Sequence, residues 1–529
     1  MKLLLQHRNW FLLRQQLQKK RVLDEDYSDY LDFVKNQSGR LVKGESVEEM
    51  IKALKLDEFW NDSIWLIPSS GGFKTAEKNN RNVVETAYSA IPTGDDPPAA
   101  PFLSQNFVKV GNYNDCPELT KAVVGDNLMD VLAVERERQN RVRSVPVWPW
   151  SGNLDLLSIM RPYYKLYTKD MALIYDAGED PDNIAPAPVG YTKTGTEIMY
   201  FGTPGDGISN SYRWALQDSV YTDVKQGDVI TWSFLLKPSG YDYVLISTQI
   251  ATDSYRAIFM KHSGDNIGPI VPADVEVKDW NVIQLDDGWK YISVSIERTA
   301  EGISSSVFGF LYPTQSTNSL NTTFNGGHVL MTNFQIELGY PTLPIPRHTE
   351  TCVTRLAPSP QISNFIPETG SIAMIADVVI DEFEEDDGEI TKFGTTLFGT
   401  GDDLSLILTE DKLKLLFQGI ELRSFDHGAD FSLFERYQVG VIVSTYEDSS
   451  KIFFLYKDDN EWTVKVFDSS DQLTGSNLFL GCDNNGENQT SVRVLNLYST
   501  EEEIDNVNRA SALFEILTIG NLEVELETA

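Results

Sequence analysis

From about residue 176 the chain alternates apolar and polar side chains in short runs, broken by Gly, Asp, Asn and Ser. A period of two marks a strand with one face in a core. Short strands with polar turns and no helices between them predict antiparallel sandwiches. A first set is expected at 228–236, 243–248, 256–260, 290–296 and 329–336. A second begins at Gly370, with strands at 371–380, 396–399, 404–408, 412–417, 437–443, 452–456 and 462–467. The last two read as a hairpin across Asp458-Asp459-Asn460.

The 529 residues are too many for one core, so two to four domains are expected. A hydrophobic share of 41% with 11% aromatics suits folded domains rather than disorder. Cys116, Cys352 and Cys482 fit neither a disulfide framework nor a zinc site. No run of 18 apolar residues occurs, so no membrane span is expected. The net charge is −34, and from Leu356 onward 34 acidic residues face 10 basic ones. Such a surface repels nucleic acid and anionic lipid, and it keeps a chain soluble.

The amino end has the opposite charge. Lys2, Arg8, Arg14, Lys19, Lys20 and Arg21 precede any acid, and Leu3, Trp10, Leu13 and Leu17 recur at helical spacing. An amphipathic basic helix follows, packed on its own domain or docked on an acidic partner. Leu3-Leu4-Leu5 is too short for a signal-peptide core. Ser46-Val47-Glu48-Glu49 has the form of a capping box. Residues 1–66 are therefore expected to be helical. Residues 67–175, with Ile91-Pro92 to Pro101 and Pro146 to Trp150, read as an irregular, partly extended connector. A helix or two is expected between Leu119 and Arg138, and another from Thr500 to Ala512. Residues 514–529 remain as a tail, either a last strand or an association segment.

Four motifs bracket one join. They are Asp286-Asp287-Gly288-Trp289-Lys290-Tyr291, Gln335-Ile336-Glu337-Leu338-Gly339, Pro344-Ile345-Pro346-Arg347 and Val353-Thr354-Arg355. Together they resemble the carbohydrate-binding-module-like jelly roll of tailed-phage structural proteins, over roughly 176–355. Pro344-Ile345-Pro346-Arg347 departs from that family's Tyr-Ile-Pro-Thr exit. Leu480-Gly481-Cys482, then Val492-Arg493-Val494-Leu495, then Ser499-Thr500-Glu501-Glu502-Glu503-Ile504 resemble the laminin-G/concanavalin-like sandwich, over roughly 356–513. The expected fold is mainly β: two antiparallel β-sandwich (jelly-roll) domains in series after an α-helical, partly extended N-terminal region. The resemblance implies a virion surface protein. Its N-terminal segment would attach to other virion proteins, its sandwiches could touch a host surface glycan, and it would form a homo-oligomer, with a trimer favoured by analogy.

No phosphate loop, HExxH pair or Gly-x-Ser-x-Gly elbow occurs. A glycosidase needs two carboxylates flanking one bond, and Asp377, Asp381 and Asp403 are the acids considered. Sugar recognition uses aromatic faces beside polar groups. Tyr212, Trp214, Tyr241, Tyr243 and Tyr255 lie near polar loops of the first sandwich and are the candidates, whereas Trp289 is expected in the core. Asp381 to Glu389 and Asp483 to Asn488 are acidic loops that could hold a cation. Through the laminin-G resemblance, calcium would fall to Asp483, Asn485 and Asn488, although a solvated turn is the plainer reading. Arg423, Asp426 and His427 share one loop, with His427 read as a surface residue. The expectation is thus a non-catalytic fibre or appendage. A polysaccharide depolymerase and a purely structural scaffold stand as alternatives.

Overall fold

The computed structural model describes residues 23–78, 81–93, 102–107, 117–124, 127–134 and 138–140, and short strands between 164 and 216. It also describes most of 226–299, then 309–314, 327–339, 353–355 and most of 360–519. The fold is mainly β, with antiparallel sheets and few helices. Among the described residues no helix is long and apolar enough to cross a membrane.

Strand pairing makes one body of the two ends of the chain. The strand Val492–Thr500 pairs with Gly370–Val379 on one side. On its other side it pairs with two amino-terminal strands, Ser63–Pro68 and Asn127–Val134. They belong to a 12-stranded sheet running from Arg40–Leu41 to Glu461–Ser469. The seam is closed by the Ser63 and Tyr498 hydroxyls, 2.7 Å apart.

This sheet is covered on both faces. Ile372, Met374, Ala376, Val378 and Ile380 share a core with Leu404, Leu406, Leu408, Leu413 and Leu415 of a seven-stranded sheet. The intervening Ala373 and Ile375 share a second core with the helices Glu25–Asn36, Gly44–Leu56 and Val507–Leu517, through Tyr30, Met50, Leu54, Leu513 and Phe514. From Ile372 to Ala376 apolar residues therefore run without a break where a one-faced strand would alternate.

The middle of the chain forms a second sandwich. Its seven-stranded sheet places Gly327–Leu338 and Lys290–Glu297 on either side of Val229–Ser239. Trp289 enters its strand beside the Leu236 end of Val229–Ser239, whereas Gln335 to Leu338 run beside Ser233 to Ile230, toward the other end. A five-stranded sheet, from Trp214–Leu216 to Gly268–Ile270, accompanies it. The chain leaves the first body at Arg138–Asn140 and returns at Val353–Arg355, and these two segments pair with each other. Neighbouring exit and return points are what allow one domain to be inserted into another.

Several expectations are corrected. Where described, the segment 67–175 is stranded rather than irregular: Gly72–Lys78, Arg81–Pro92, Phe102–Asn106, Glu118–Val124 and Asn127–Val134 all join the large sheet. Glu118–Val124 and Asn127–Val134, in a stretch expected as helix, are paired antiparallel strands that hold four valines. Ser46 caps nothing: its helix begins at Gly44 after Lys43, and Ser46 is buried inside it. Thr500 ends a strand, and the last helix starts at Val507 with Asn506 as its cap, accepting from the Arg509 N–H at 3.0 Å. That helix absorbs Phe514 to Leu517, so this part of the expected tail lies in the core. The basic amphipathic segment over 1–22 lies outside the described residues.

Candidate functional site

The sequence-based candidates fare unequally. Tyr212, Tyr241 and Tyr255 lie outside the described residues, as do Asp483, Asn485, Asn488 and Asp403. Trp214 opens an outer strand and pairs with Leu311. Leu311 pairs in turn with Ile246, three residues along the strand from Tyr243. Tyr243 is half-buried and packs against Leu245 and Phe259, as a core-edge residue does. Asp381 starts a short strand paired to Gly394. Among the described residues no three His, Cys, Asp or Glu side chains are grouped to hold a metal. Trp289 is fully buried, as expected.

His427 is a correction. It is not a surface residue but is wholly buried, against Phe431, Phe454 and Tyr456. The Ala429 N–H donates to Nδ1, and Nε2 lies 3.2 Å from the Thr409 carbonyl. That pair of partners selects a neutral ring with Nε2 carrying the proton. Burial accordingly lowers its pKa. Arg423 and Asp426 lie on the preceding strand, and Arg423 pairs with Asp471 at 3.0 Å.

Asp377 is the decisive acid. It interrupts the apolar strand Gly370–Val379 and is almost fully buried. Its Oδ2 lies 3.2 Å from Arg436 Nη1 and 3.6 Å from Arg493 Nη1. These arginines also act on the inserted sandwich: both pull electrostatically on Asp279 and on Tyr291. Burial raises the Asp279 carboxyl above its ordinary range against that pull. The Tyr291 hydroxyl is pushed up to about 12, first by burial and then by Glu337. The buried Glu337 accepts from the Gln335 amide. Asn281 donates to Asp279 at 3.3 Å and to Ser293 at 3.2 Å, and the Thr231 and Ser295 hydroxyls are 2.6 Å apart. Charged groups of the two sandwiches thus lie within electrostatic reach of one another, which makes their boundary a charged joint. Asp377 is thus committed to two guanidiniums as a buried ion pair.

A second feature is exposed. Trp280, on the outer strand Glu276–Gln284, keeps 40% of its surface open to solvent. Its ring lies over Gly268 of the outer strand Gly268–Ile270 in the other sheet: a methyl group at Gly268 would sit 3.1 Å from Cζ2. The ring thus bridges the open edge of the sandwich. Sequence reading missed both features. A lone Trp in the polar run Lys278-Asp279-Trp280-Asn281 was one available signal. Asp377 and Arg493, single charges inside apolar strands, were the other, since such charges demand buried partners.

No family model matches the chain, and no curated protein is similar to it in sequence. Among solved structures it is similar to the LG4-5 domains of the mouse laminin alpha1 chain, at 10% identity and a TM-score of 0.19, over 65% of this chain and 96% of that one. A mutant Trypanosoma rangeli sialidase displaying trans-sialidase activity gives 12% and 0.19, over 52% and 51%. The tail fiber protein gp63.1 from an E. coli phage gives 9% and 0.18, over 65% of this chain and 40% of that one. Likenesses this slight carry no functional argument, so function is argued from the residues.

Proposed function

We propose that this chain is a non-catalytic appendage of a virus particle, displaying two β-sandwiches that decorate the particle or adhere to host glycans. The observation that carries binding over cleavage is Asp377. Asp377, one of the three acids considered for cutting a sugar bond, is buried and held by Arg436 and Arg493. The virion assignment rests on the Asp287-Gly288-Trp289, Gln335 to Gly339 and Val353-Thr354-Arg355 motifs. The helices over 25–56 are taken up by the chain's own core. Attachment to other virion proteins therefore falls to the basic residues 1–22. By analogy with such fibres the chain forms a homo-oligomer, a trimer favoured, and its many weak sites add up through avidity.

Two measurements test this reading. Immunogold labelling should place the chain on the surface of purified particles. The full chain, incubated with host capsule, should bind it and release no oligosaccharide. Steady release of reducing ends would make it a depolymerase, and labelling without any glycan retention would make it a scaffold.

A further inference from the structure

We propose that the face of Trp280 is a sugar-stacking site for a neutral hexopyranose at the sandwich edge. This presupposes the adhesion reading and names its contact point. Outer strands of two different sheets meet here, Glu276–Gln284 and Gly268–Ile270, and the Trp280 ring spans the gap. The ring is held flat because its partner is Gly268, whose φ of +143° and missing side chain allow the backbone to lie against the indole. Residues two apart on a strand face the same way, so Ile270 lies on the side of Gly268 that the ring covers. Ile270 is 45% exposed, which extends the apolar shelf beside the indole.

Polar groups border that shelf. The segment Gly264–Ile267 is exposed. Asn266 is held in the left-handed region, at φ +54°, and the Lys261 ammonium fastens the Asp265 carbonyl. The Asn266 amide therefore stands on a constrained turn, two residues from the glycine under the ring. A flat aromatic face with an amide on a nearby turn matches a pyranose, which shows C–H groups on one face and hydroxyls around its edge. Charge narrows the class. A chain of net charge −34 repels an acidic polysaccharide at long range, so a neutral sugar fits better than an anionic one.

The test uses the full chain on an array of neutral and anionic oligosaccharides. Neutral hexose glycans should be retained, and retention should change less than twofold between low and moderate salt, because stacking is not screened. Trp280→Leu fills the edge without an aromatic ring and should weaken retention at least tenfold. Trp280→Phe should keep it within about threefold of the parent, as expected for a preserved ring face. Asn266→Ala, which leaves the ring in place, should weaken binding several-fold and covers the case in which Trp280→Leu does not fold. Retention that survives both Trp280→Leu and Asn266→Ala would overturn this site while leaving adhesion intact. Retention of anionic glycans alone, lost in salt, would also overturn it. A parent chain that retains nothing would overturn the site and the adhesion reading together.

Discussion

The two long sheets are both covered on both faces, and by opposite means. Around Gly370–Val379, Met374 meets a sheet and Ile375 meets the helices, and nearly every contact is apolar. In the insert, Val229–Ser239 turns Trp232 and Phe234 to one side and Thr231 and Ser233 to the other, and all four are buried. That polar side carries Ser293, Ser295 and Glu337, and beside it the Tyr291 hydroxyl feels the charges of Arg436 and Arg493. Apolar burial is tolerant of position and supplies stability. A charged joint supplies little net stability but is costly to break, so it fixes how two bodies dock.

The largest expected effect breaks the charged side. Arg493→Met leaves Asp377 with Arg436 alone and should cost about 3–5 kcal/mol, the usual penalty for stranding a buried charge. Urea denaturation measures it. Replacing Asp377, Arg436 and Arg493 together by apolar residues should recover most of that loss. Failure to recover would mean that the joint is a true stabiliser.

The apolar side is broken by volume instead. At Gly440 a Cβ would lie 2.8 Å from Phe514 Cε1 and 2.9 Å from Ile375 Cδ1, so the last helix lies directly against the sheet there. Gly440→Val should cost about 1–3 kcal/mol by overpacking. A thermal transition unchanged from the parent would show that the helix can shift away freely.

Acid should separate the regions further. Burial, aided by Lys290, lowers the His262 pKa from 6.5 to about 3. The folded chain keeps this ring neutral while the unfolded chain takes up a proton. Its contribution is present above pH 6.5 and is lost as pH falls from there toward about 3. His262→Gln should flatten stability over that window, as read from denaturation midpoints at a series of pH values. An unaltered slope would place the acid sensitivity elsewhere.

The smallest effect concerns an exposed pair. Arg423→Ala removes a partner of Asp471 at 3.0 Å, yet Arg423 is half exposed, and the change should cost no more than about 1 kcal/mol. A loss near that of Arg493→Met would erase the distinction between exposed and buried pairs.

Legibility followed the same division. Strands such as Tyr243–Thr248, Leu404–Leu408 and Lys412–Phe417 were read to the residue, because their side-chain period is local. The hairpin Glu118–Val124 with Asn127–Val134 was misread as helix, since it is stabilised by pairing with Val492–Val494, more than 350 residues away. Trp280 was overlooked because its exposure depends on Gly268 in a different sheet.

The sequence by itself determined that the chain is mainly β, where most carboxyl-half strands run, and that Trp289 is core, because alternation and turn residues act over a few positions. Only the tertiary structure decided that the amino-terminal strands share a sheet with Val492–Thr500 and that the second sandwich is inserted between them. It likewise decided that Asp377 belongs to a joint. Those are choices of partner, and hydrogen bonds and ion pairs between distant strands leave no periodic trace along the chain.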